Sequence, residues 1–522
     1  MTLQILDRLA AHAASHPSRA AAREVGPGCA AAITYADLSA RVQRGSRELA
    51  EHLAPGEVAL LITGNRIEFS IAALAAWSAG AALMPIHTSV ADAELAAIIE
   101  RTGAKVLLTD ARCVRRYQSP IPQINIGAFG LREAPAAPAR NQDTAALLLQ
   151  SSGTTGLPKI VRRPAPAIDA VARNVAEATN LTGEDRVFAA IPICHAYGIE
   201  NGFLAAIWAG ATVHLCDGLD VPTAMQQLWT PTTPGPSNAA PGTPGLSDSY
   251  REAPGRTVPT ATVFPGVPFM FEVLSKLSVA PHSAPALRLA YSAGAMLPPT
   301  VSRAFTRNFG APIGQLYGAS ELGSVTFGDP AAPGADPASA GLPMPGVRIL
   351  ILDADNPDTL APLPTGEEGH VAIHAPSMMA RYVEGEAPIK DGYFLTGDLG
   401  RISADGRLYI TGRLKNLIDV GGMKVNPAEV ELTLKQHPAV AECVVVAVPV
   451  TDTVCRLKAI VTPSGSAAPD EAELKAFARD RLAGFKVPRT IEVRESLPRS
   501  PTGKILRREL EAARPCEDAG TP

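Results

Sequence analysis

AALLLQSSGTTGLPK, Ala145–Lys159, joins an apolar strand pattern to a loop of glycine and small hydroxyl residues that ends in a lysine. Backbone N–H groups and hydroxyls in such a loop converge on phosphate oxygens, and the Lys159 ammonium adds a positive charge. The loop is not a Walker motif, which needs four residues between its glycines and a Gly-Lys-Ser/Thr ending. It predicts a phosphate-binding loop behind a strand, although an ordinary loop is the commoner explanation for this composition taken alone.

Around this loop, short apolar runs alternate with helical patterns rich in alanine and leucine. VALLIT at Val58 precedes a helical run from Ile71, and KVLLTD follows at Lys105. The alternation returns with LRLAYSAG at Leu287 and IGQLYG at Ile313. Strands that alternate with helices indicate βαβ units and parallel sheets, so we expect two α/β layered subdomains.

The pattern changes at Val347 to short strands separated by turn residues, as in GVRILILDAD and GHVAIHAP. These strands predict a β-rich, barrel-like subdomain, built as an antiparallel barrel or sheet. From about Leu414 a helix, a strand and a second helix follow, and Asn426 before Pro427 is a typical N-cap with proline at the first helical position. The predicted fold class is therefore α/β and α+β.

The chain has 522 residues, too many for one ordinary core. We predict a large N-terminal domain over residues 1–413 and a small C-terminal domain over residues 414–522. Pro231–Gly245 contains eight proline or glycine residues in fifteen, a composition that supports neither helix, sheet nor core. It marks a surface insertion at about residues 229–257.

The charge balance is nearly even, with 47 lysine plus arginine residues against 51 aspartate plus glutamate residues. This balance favours a small-molecule partner over nucleic acid or an anionic membrane surface. The apolar run Ile71–Ile86 is shorter than the roughly 20 residues of a membrane span and predicts a buried helix followed by a strand. Seven cysteines without a Cys-x-x-Cys pair, and no export signal, favour a cytoplasmic protein.

Six further motifs follow the first loop in order along the chain. They are PICHAYG at Pro192, SAGAML at Ser292, LYGASE at Leu316, YFLTGDLGR at Tyr393, DGRLYITGRLKNLIDVGGMKVNPAEVE at Asp405 and PRSPTGKILRREL at Pro498. The ordered set resembles the adenylate-forming superfamily of acyl- and aryl-CoA synthetases, peptide-synthetase adenylation domains and beetle luciferases. The resemblance covers almost the whole chain and implies ATP, magnesium, and coenzyme A or the phosphopantetheine of a carrier protein.

The resemblance also implies a nucleotide site drawn from several motifs. Asp398 is expected to accept hydrogen bonds from both ribose hydroxyls with help from Arg413, and Tyr317 to stack on adenine. Ser320 would offer its hydroxyl to phosphate, and Glu321 is the expected ligand of magnesium. Without the motifs, a core tyrosine, a turn serine and a solvated glutamate would be the better explanations. The predicted ATP site comprises Ser151, Ser152, Gly153, Thr154, Thr155, Gly156, Lys159, Gly294, Ala295, Tyr317, Gly318, Ser320, Asp398 and Arg413.

Three residues are predicted to be catalytic: Lys504, His195 and Glu321. By resemblance, Lys504 reaches from the small domain to bridge the substrate carboxylate and the α-phosphate, whereas a solvated surface lysine is the alternative. His195 would line the acyl site near the carboxylate. Lys415 is implied as the hinge about which the small domain rotates, and Gly421-Gly422 as part of the thiol tunnel.

The predicted function is that of an AMP-forming acyl-CoA synthetase, an ATP-dependent acid–thiol ligase. Two alternatives remain: a stand-alone ligase that loads an acyl carrier protein, and an inactive nucleotide-binding relative. CHAYGIENG lacks the Phe-Asp pair of amino-acid-activating members, and Ala196 replaces the asparagine of siderophore aryl-acid activators. The expected acid is therefore fatty, short-chain or aromatic, and the apolar run ENGFLAAIWAG predicts a largely neutral pocket. Ile160 and Ser320 depart from the commoner family residues, glycine and threonine.

Overall fold

The computed structural model describes residues 3–27, 29, 31–110, 117–131, 142–151, 159–229, 260–277, 286–354, 356, 359–414, 418–420, 423–451, 454–465, 468–482, 484–499 and 505–511. The chain forms two compact units, Met1–Arg348 with Ile373–Phe394 (unit 1) and Ile349–Ala372 with Leu395–Pro522 (unit 2). The predicted division into domains 1–413 and 414–522 stays a prediction. Apart from its first residue, the predicted insertion at 229–257 lies outside the described residues.

A seven-stranded sheet in unit 1 contains the strands on either side of the phosphate-loop motif. In spatial order, with all elements numbered along the chain, it comprises β18 (Arg381–Tyr382), β8 (Lys159–Pro164), β7 (Ala146–Ser151), β4 (Ala82–Ile86), β3 (Val58–Ile62), β5 (Val106–Thr109) and β6 (Gln123–Asn125). The strands from β7 to β6 are parallel, and β8 is antiparallel to both of its neighbours. Every residue of β3, β4 and β5 is buried, which explains their uninterrupted apolar sequences.

A nine-stranded sheet forms the second layer of unit 1. In spatial order it comprises β15 (Leu342–Pro343), β14 (Gly323–Gly328), β13 (Ile313–Ala319), β12 (Leu289–Ser292), β11 (Val263–Gly266), β9 (Arg186–Ala189), β10 (Thr212–Leu215), β1 (Ala20–Glu24) and β2 (Ala32–Thr34). The strands from β13 to β1 are parallel, so their carboxyl ends lie at one edge. Both parallel sheets of the predicted α/β subdomains are confirmed.

Helices connect the strands of both sheets in unit 1. They are α1 (Gln4–Ser15), α2 (Tyr35–Ala50), α3 (Ile67–Ser78), α4 (Asp92–Thr102), α5 (Ala165–Ala178), α6 (Ala196–Ile199), α7 (Ala205–Ala209), α8 (Val221–Leu228), α9 (Pro268–Ser275) and α10 (Pro299–Phe309). α3 is buried on every face from Ile67 to Trp77, and β4 follows it, as predicted. Among the described residues, no helix has the length and apolar character needed to cross a membrane.

Unit 2 contains most of a five-stranded sheet. Its order is β16 (Arg348–Leu352), β17 (Gly369–His374), β20 (Tyr393–Ile402) and β19 (Ile389–Lys390), and β21 (Leu408–Arg413) pairs with β20. Of the two predicted forms, barrel or sheet, the barrel is wrong. β16 and β19 end the strand order, and no ring closes among the described strands. A two-residue strand such as β19 is too short to complete a barrel.

The C-terminal part of unit 2 is α+β, as predicted. It comprises β22 (Ile418–Val420), β23 (Met423–Val425), α11 (Pro427–Leu434), β24 (Val440–Thr451), β25 (Val454–Pro463), α12 (Glu471–Arg479), β26 (Thr490–Val493) and α13 (Arg507–Glu511). The Asn426 side chain accepts a hydrogen bond from the Ala428 N–H at 3.1 Å, and Pro427 is the first helical residue. The predicted N-cap is therefore confirmed.

Candidate functional site

The two ends of the phosphate-loop motif lie side by side at the end of the β7–β8 hairpin. Ser151 pairs with Lys159 across the ladder, and Ser151 is buried whereas Lys159 is exposed. The Lys159 ammonium lies 4.4 Å from the centroid of the Tyr382 ring, a cation–π contact. The loop between Ser151 and Lys159 lies outside the described residues. It contains the predicted Ser152, Gly153, Thr154, Thr155 and Gly156.

Tyr382 also contacts the predicted magnesium ligand. Its hydroxyl donates a hydrogen bond to Glu321 Oε1 at 3.1 Å. Burial, together with the Glu321 charge and this hydrogen bond, raises the pKa of Tyr382 well above its usual range. The tyrosine therefore stays protonated and remains a donor. Tyr382 lies between the cation of one motif and the carboxylate of another, and it belongs to none of the sequence motifs.

Glu321 is the predicted ligand of the magnesium ion, and among the described residues no cluster of three or more His, Cys, Asp or Glu side chains could hold a metal ion. A single carboxylate fits this ion, since magnesium bound with a nucleotide takes one or two carboxylates and completes its shell with phosphate oxygens and water. The hydrogen bond from Tyr382 orients the carboxylate for that purpose.

The predicted adenine and phosphate residues follow two neighbouring parallel strands. Gly294 and Ala295 come after β12, and Tyr317 and Gly318 lie near the end of β13, so these segments share one edge of the sheet. Such an edge is where ligands bind in parallel α/β sheets. A Cβ atom at position 318 would lie 2.4 Å from the Gly323 carbonyl oxygen, so this position accepts only glycine. Gly318 thus allows β13 to approach β14 closely.

His195 lies directly before α6, where its ring stacks on His87 with centroids 6.2 Å apart and an interplanar angle of 28°. His195 keeps contact with solvent, and its stacking partner His87 lines a recess together with Thr63, Asn65 and Cys194. Burial, and secondarily the neighbouring His87, lowers the pKa of His195 below its usual 6.5. His195 is therefore neutral at pH 7.

His87 was not predicted from the sequence. It follows the fully buried strand β4, at a carboxyl end of the seven-stranded sheet. Its Nδ1 lies 2.7 Å from Ser89 Oγ and accepts the Ser89 N–H at 3.2 Å. Nε2 therefore carries the proton of the neutral ring. A polar residue immediately after a buried parallel strand is the signal that could have identified it.

In unit 2, the predicted ribose-binding pair faces across the β20–β21 hairpin. Asp398 and Arg413 are register partners, and Arg413 Nε donates to Asp398 Oδ1 at 2.7 Å. The Asp398 side chain is 6% exposed and the Arg413 side chain 47% exposed. The structure therefore brings together two residues that the sequence placed in different motifs.

The turn before Asp398 is held by β17. The Gly397 N–H donates to His370 Nε2 at 2.9 Å, and Thr396 Oγ1 donates to the Val371 carbonyl oxygen at 2.7 Å. Gly397 has a φ of 75°, which favours glycine. Burial lowers the pKa of His370, against an opposing effect of the Asp398 charge, so its ring is neutral and Nε2 can accept. His370 thereby positions Asp398, a role that the sequence did not reveal.

Four further predicted residues, besides those of the phosphate loop, lie outside the described residues: Lys415, Gly421, Gly422 and Lys504. The chain on either side of the glycine pair is described, since β22 and β23 pair with Val420 opposite Met423. The roles assigned to these four residues stay predictions.

Comparison with known proteins gives two family matches. The profile of the AMP-binding enzyme family matches residues 9–233 and 258–383, and that of the AMP-binding enzyme C-terminal domain matches residues 429–504. Oxalate–CoA ligase from Arabidopsis thaliana is 27% identical over 505 residues, which cover 91% of this chain and 92% of that protein. Feruloyl-CoA synthase from Amycolatopsis sp is 29% identical over 498 residues, with coverage of 92% and 93%.

The solved structure of O-succinylbenzoate coenzyme A synthetase from Bacillus subtilis, in complex with ATP and magnesium ion, is also similar. It aligns with a TM-score of 0.77 at 25% identity and covers 96% of this chain and 98% of that one.

Proposed function

This chain belongs to the AMP-binding enzyme family, and from that membership we propose that it joins a carboxylic acid to the thiol of coenzyme A in two steps. In the first, a carboxylate oxygen attacks the α-phosphorus of ATP, the bond to the β-phosphate oxygen breaks, and pyrophosphate leaves. In the second, the thiol sulfur attacks the acyl carbon, the bond to the phosphate oxygen breaks, the thiol proton is released, and AMP leaves with the bonding electron pair.

The observation that carries the proposal is the chain of contacts Lys159–Tyr382–Glu321. It places a cation for phosphate oxygens and a carboxylate for magnesium on the two sides of one tyrosine. Magnesium, when bound, supplies positive charge to the phosphates. Glu321 would hold the magnesium ion, and Lys159 would bind phosphate oxygens directly, which makes the approach of a second anion, the substrate carboxylate, less unfavourable.

The Asp398–Arg413 pair would orient the ribose. A buried carboxylate accepts two hydroxyl donors well, because its charge strengthens each hydrogen bond. Arg413 Nε donates a hydrogen bond to Asp398 Oδ1 at 2.7 Å and so fixes the orientation of this carboxyl group. His370 and the Thr396–Asp398 turn keep the carboxylate in place.

The acyl group is proposed to be neutral. The helical stretch that begins at Glu200 is buried as far as Trp208, and the one acidic side chain within it is paired with Arg163. No uncompensated charge of this helix is therefore offered to an acyl chain. The relatives act, by name, on acids as different as oxalate and ferulate. We accordingly propose a class of acid, fatty, short-chain or aromatic, and not one compound.

The test is ATP-dependent hydroxamate formation with a panel of acids, followed by thioester formation with coenzyme A and with holo carrier protein. We expect hydroxamate from at least one acid and thioester with free coenzyme A. Glu321→Gln should lose most of the magnesium-dependent rate. Glu272→Gln is the matched control, since Glu272 pairs with Lys276 on the surface helix α9 and should retain full activity.

Two results would overturn the proposal. Absence of hydroxamate with every acid, together with absence of acid-dependent ATP–pyrophosphate exchange, would indicate a nucleotide-binding protein without ligase activity. Thioester formation with holo carrier protein, and none with coenzyme A, would make the carrier protein the acyl acceptor in place of coenzyme A.

A further inference from the structure

A buried ion pair lies between β8 and the π-helical turn Glu200–Leu204. Arg163 Nη2 bonds to Glu200 Oε1, and the two side chains are 0% and 2% exposed. The other carboxylate oxygen, Glu200 Oε2, accepts the Ser324 N–H at 2.9 Å and the Ser324 hydroxyl at 2.8 Å. Both oxygens of this carboxylate are therefore engaged.

The guanidinium also reaches the turn that carries two predicted site residues. Arg163 Nε donates to the Ser320 carbonyl oxygen at 3.0 Å. This oxygen lies in the Ser320–Leu322 turn, beside Glu321. Arg163 lies near the end of β8, four residues after Lys159, so its side chain links the strand that begins at Lys159 to the turn.

Glu200 connects the same turn to a third segment. It follows α6, which begins after His195, and its neighbour Asn201 donates through Nδ2 to Ser324 Oγ at 3.0 Å. Ser324 is the cross-strand partner of Gly318. π-Helical turns are rare and often mark functional sites. Here the turn directs Glu200 and Asn201 toward β14.

Stability alone is a poor explanation for this arrangement. Taking two charges out of water is costly, and a buried ion pair is often no more stabilising than apolar residues of similar volume. What the pair provides is geometry: a planar guanidinium with fixed donors and a carboxylate with fixed acceptors allow only one relative placement of the segments they join.

We infer that Arg163 and Glu200 are positioning residues for acid activation. They fix the strand β8, which begins at Lys159, the turn with Ser320 and Glu321, and the helix behind His195 relative to one another. Since displacement of a reacting group by about 1 Å costs about 100-fold in rate, such an element controls turnover without contacting substrate. This inference rests on the proposed function.

Two variants test it against one control. Arg163→Lys keeps the charge for Glu200 but cannot also reach the Ser320 carbonyl. The double variant Arg163→Met, Glu200→Gln removes both charges together and keeps an acceptor for Ser324. The control is Arg288→Lys, because Arg288 also pairs with a buried carboxylate, that of Asp185 at 2.8 Å, near the amino ends of β9 and β12.

For the two test variants we expect a cooperative unfolding transition and a loss of about 100-fold in kcat for acid-dependent ATP–pyrophosphate exchange. Calorimetry should show weaker Mg-ATP binding, and Arg288→Lys should match the wild type in both measurements. A folded double variant with wild-type exchange would overturn the inference, as would equal losses in Arg163→Lys and Arg288→Lys. If the double variant does not fold, Arg163→Lys alone decides.

Failure of the proposed function gives a different result. In that case the wild type shows no exchange with any acid. Mg-ATP binding then decides the inference separately: weaker binding in Arg163→Lys than in Arg288→Lys supports positioning of the nucleotide site, and equal binding contradicts it.

Discussion

Replacement of Asp398 by asparagine is the sharpest test of the nucleotide site in unit 2. The change keeps the size of the side chain but removes the charge and one of the two acceptor oxygens. Arg413, with 47% of its side chain exposed, can be solvated when its partner becomes neutral, so the folding cost should stay below about 1 kcal/mol. The loss should therefore fall on nucleotide use.

Its magnitude follows from the hydrogen bonds concerned. A hydrogen bond to a charged group contributes about 1.5–3 kcal/mol net. At about 1.4 kcal/mol per factor of ten, Asp398→Asn should lower kcat/KM for ATP roughly 10- to 150-fold. Asp405→Asn is the control, since Arg407 Nε donates to Asp405 at the same 2.7 Å in the same hairpin, yet the Asp405 side chain is 59% exposed. The variant Asp405→Asn should change kcat/KM for ATP less than about twofold.

The assay compares ATP with 2′-deoxy-ATP in acid-dependent pyrophosphate exchange. In the wild type, removal of the 2′-hydroxyl should cost most of the affinity that Asp398 provides. In Asp398→Asn the same removal should cost much less, because the partner of the hydroxyl is already weakened. An equal penalty for 2′-deoxy-ATP in both proteins would refute the assignment of Asp398 to the ribose.

Three further outcomes are expected. Tyr382→Phe keeps the ring beside Lys159 but removes the donor to Glu321, so half-maximal activity should need about 2- to 10-fold more magnesium; an unchanged requirement would contradict the contact. His87→Asn should raise the pKa of His195 only part of the way to 6.5, because burial is the larger cause of its lowering. NMR titration measures this pKa, and the acid limb of the pH–rate profile should move to higher pH with it. His370→Ala leaves the partly buried Gly397 N–H without its acceptor, so the free energy of unfolding should fall by about 1–3 kcal/mol and KM for ATP should rise. No change in thermal unfolding or in KM would exclude a positioning role for His370.

The sequence was most informative where a function is carried by adjacent residues. The ends of the phosphate loop, Ser151 and Lys159, follow from one hairpin, and the Asn426 cap from a local pattern. The pairing of Asp398 with Arg413 needed the resemblance, because nothing in either motif specifies the register of β20 on β21.

The contacts that sequence reasoning missed join residues far apart in the chain. Tyr382 and Glu321 are separated by 61 positions, and Arg163 and Glu200 by 37. Periodicity reports which face of an element is buried, but not which distant side chain meets it there. The predicted barrel failed for a related reason, since alternation predicts strands but leaves their closure undetermined.

The buried Arg163–Glu200 pair also limits how this scaffold can be re-engineered. Grafting the helix behind His195 from another enzyme would replace Glu200 and leave the guanidinium of Arg163 uncompensated in the interior. A workable chimera must exchange β8 in the same operation, and a variant that loses the charge of one partner alone should lose about 3–5 kcal/mol of stability.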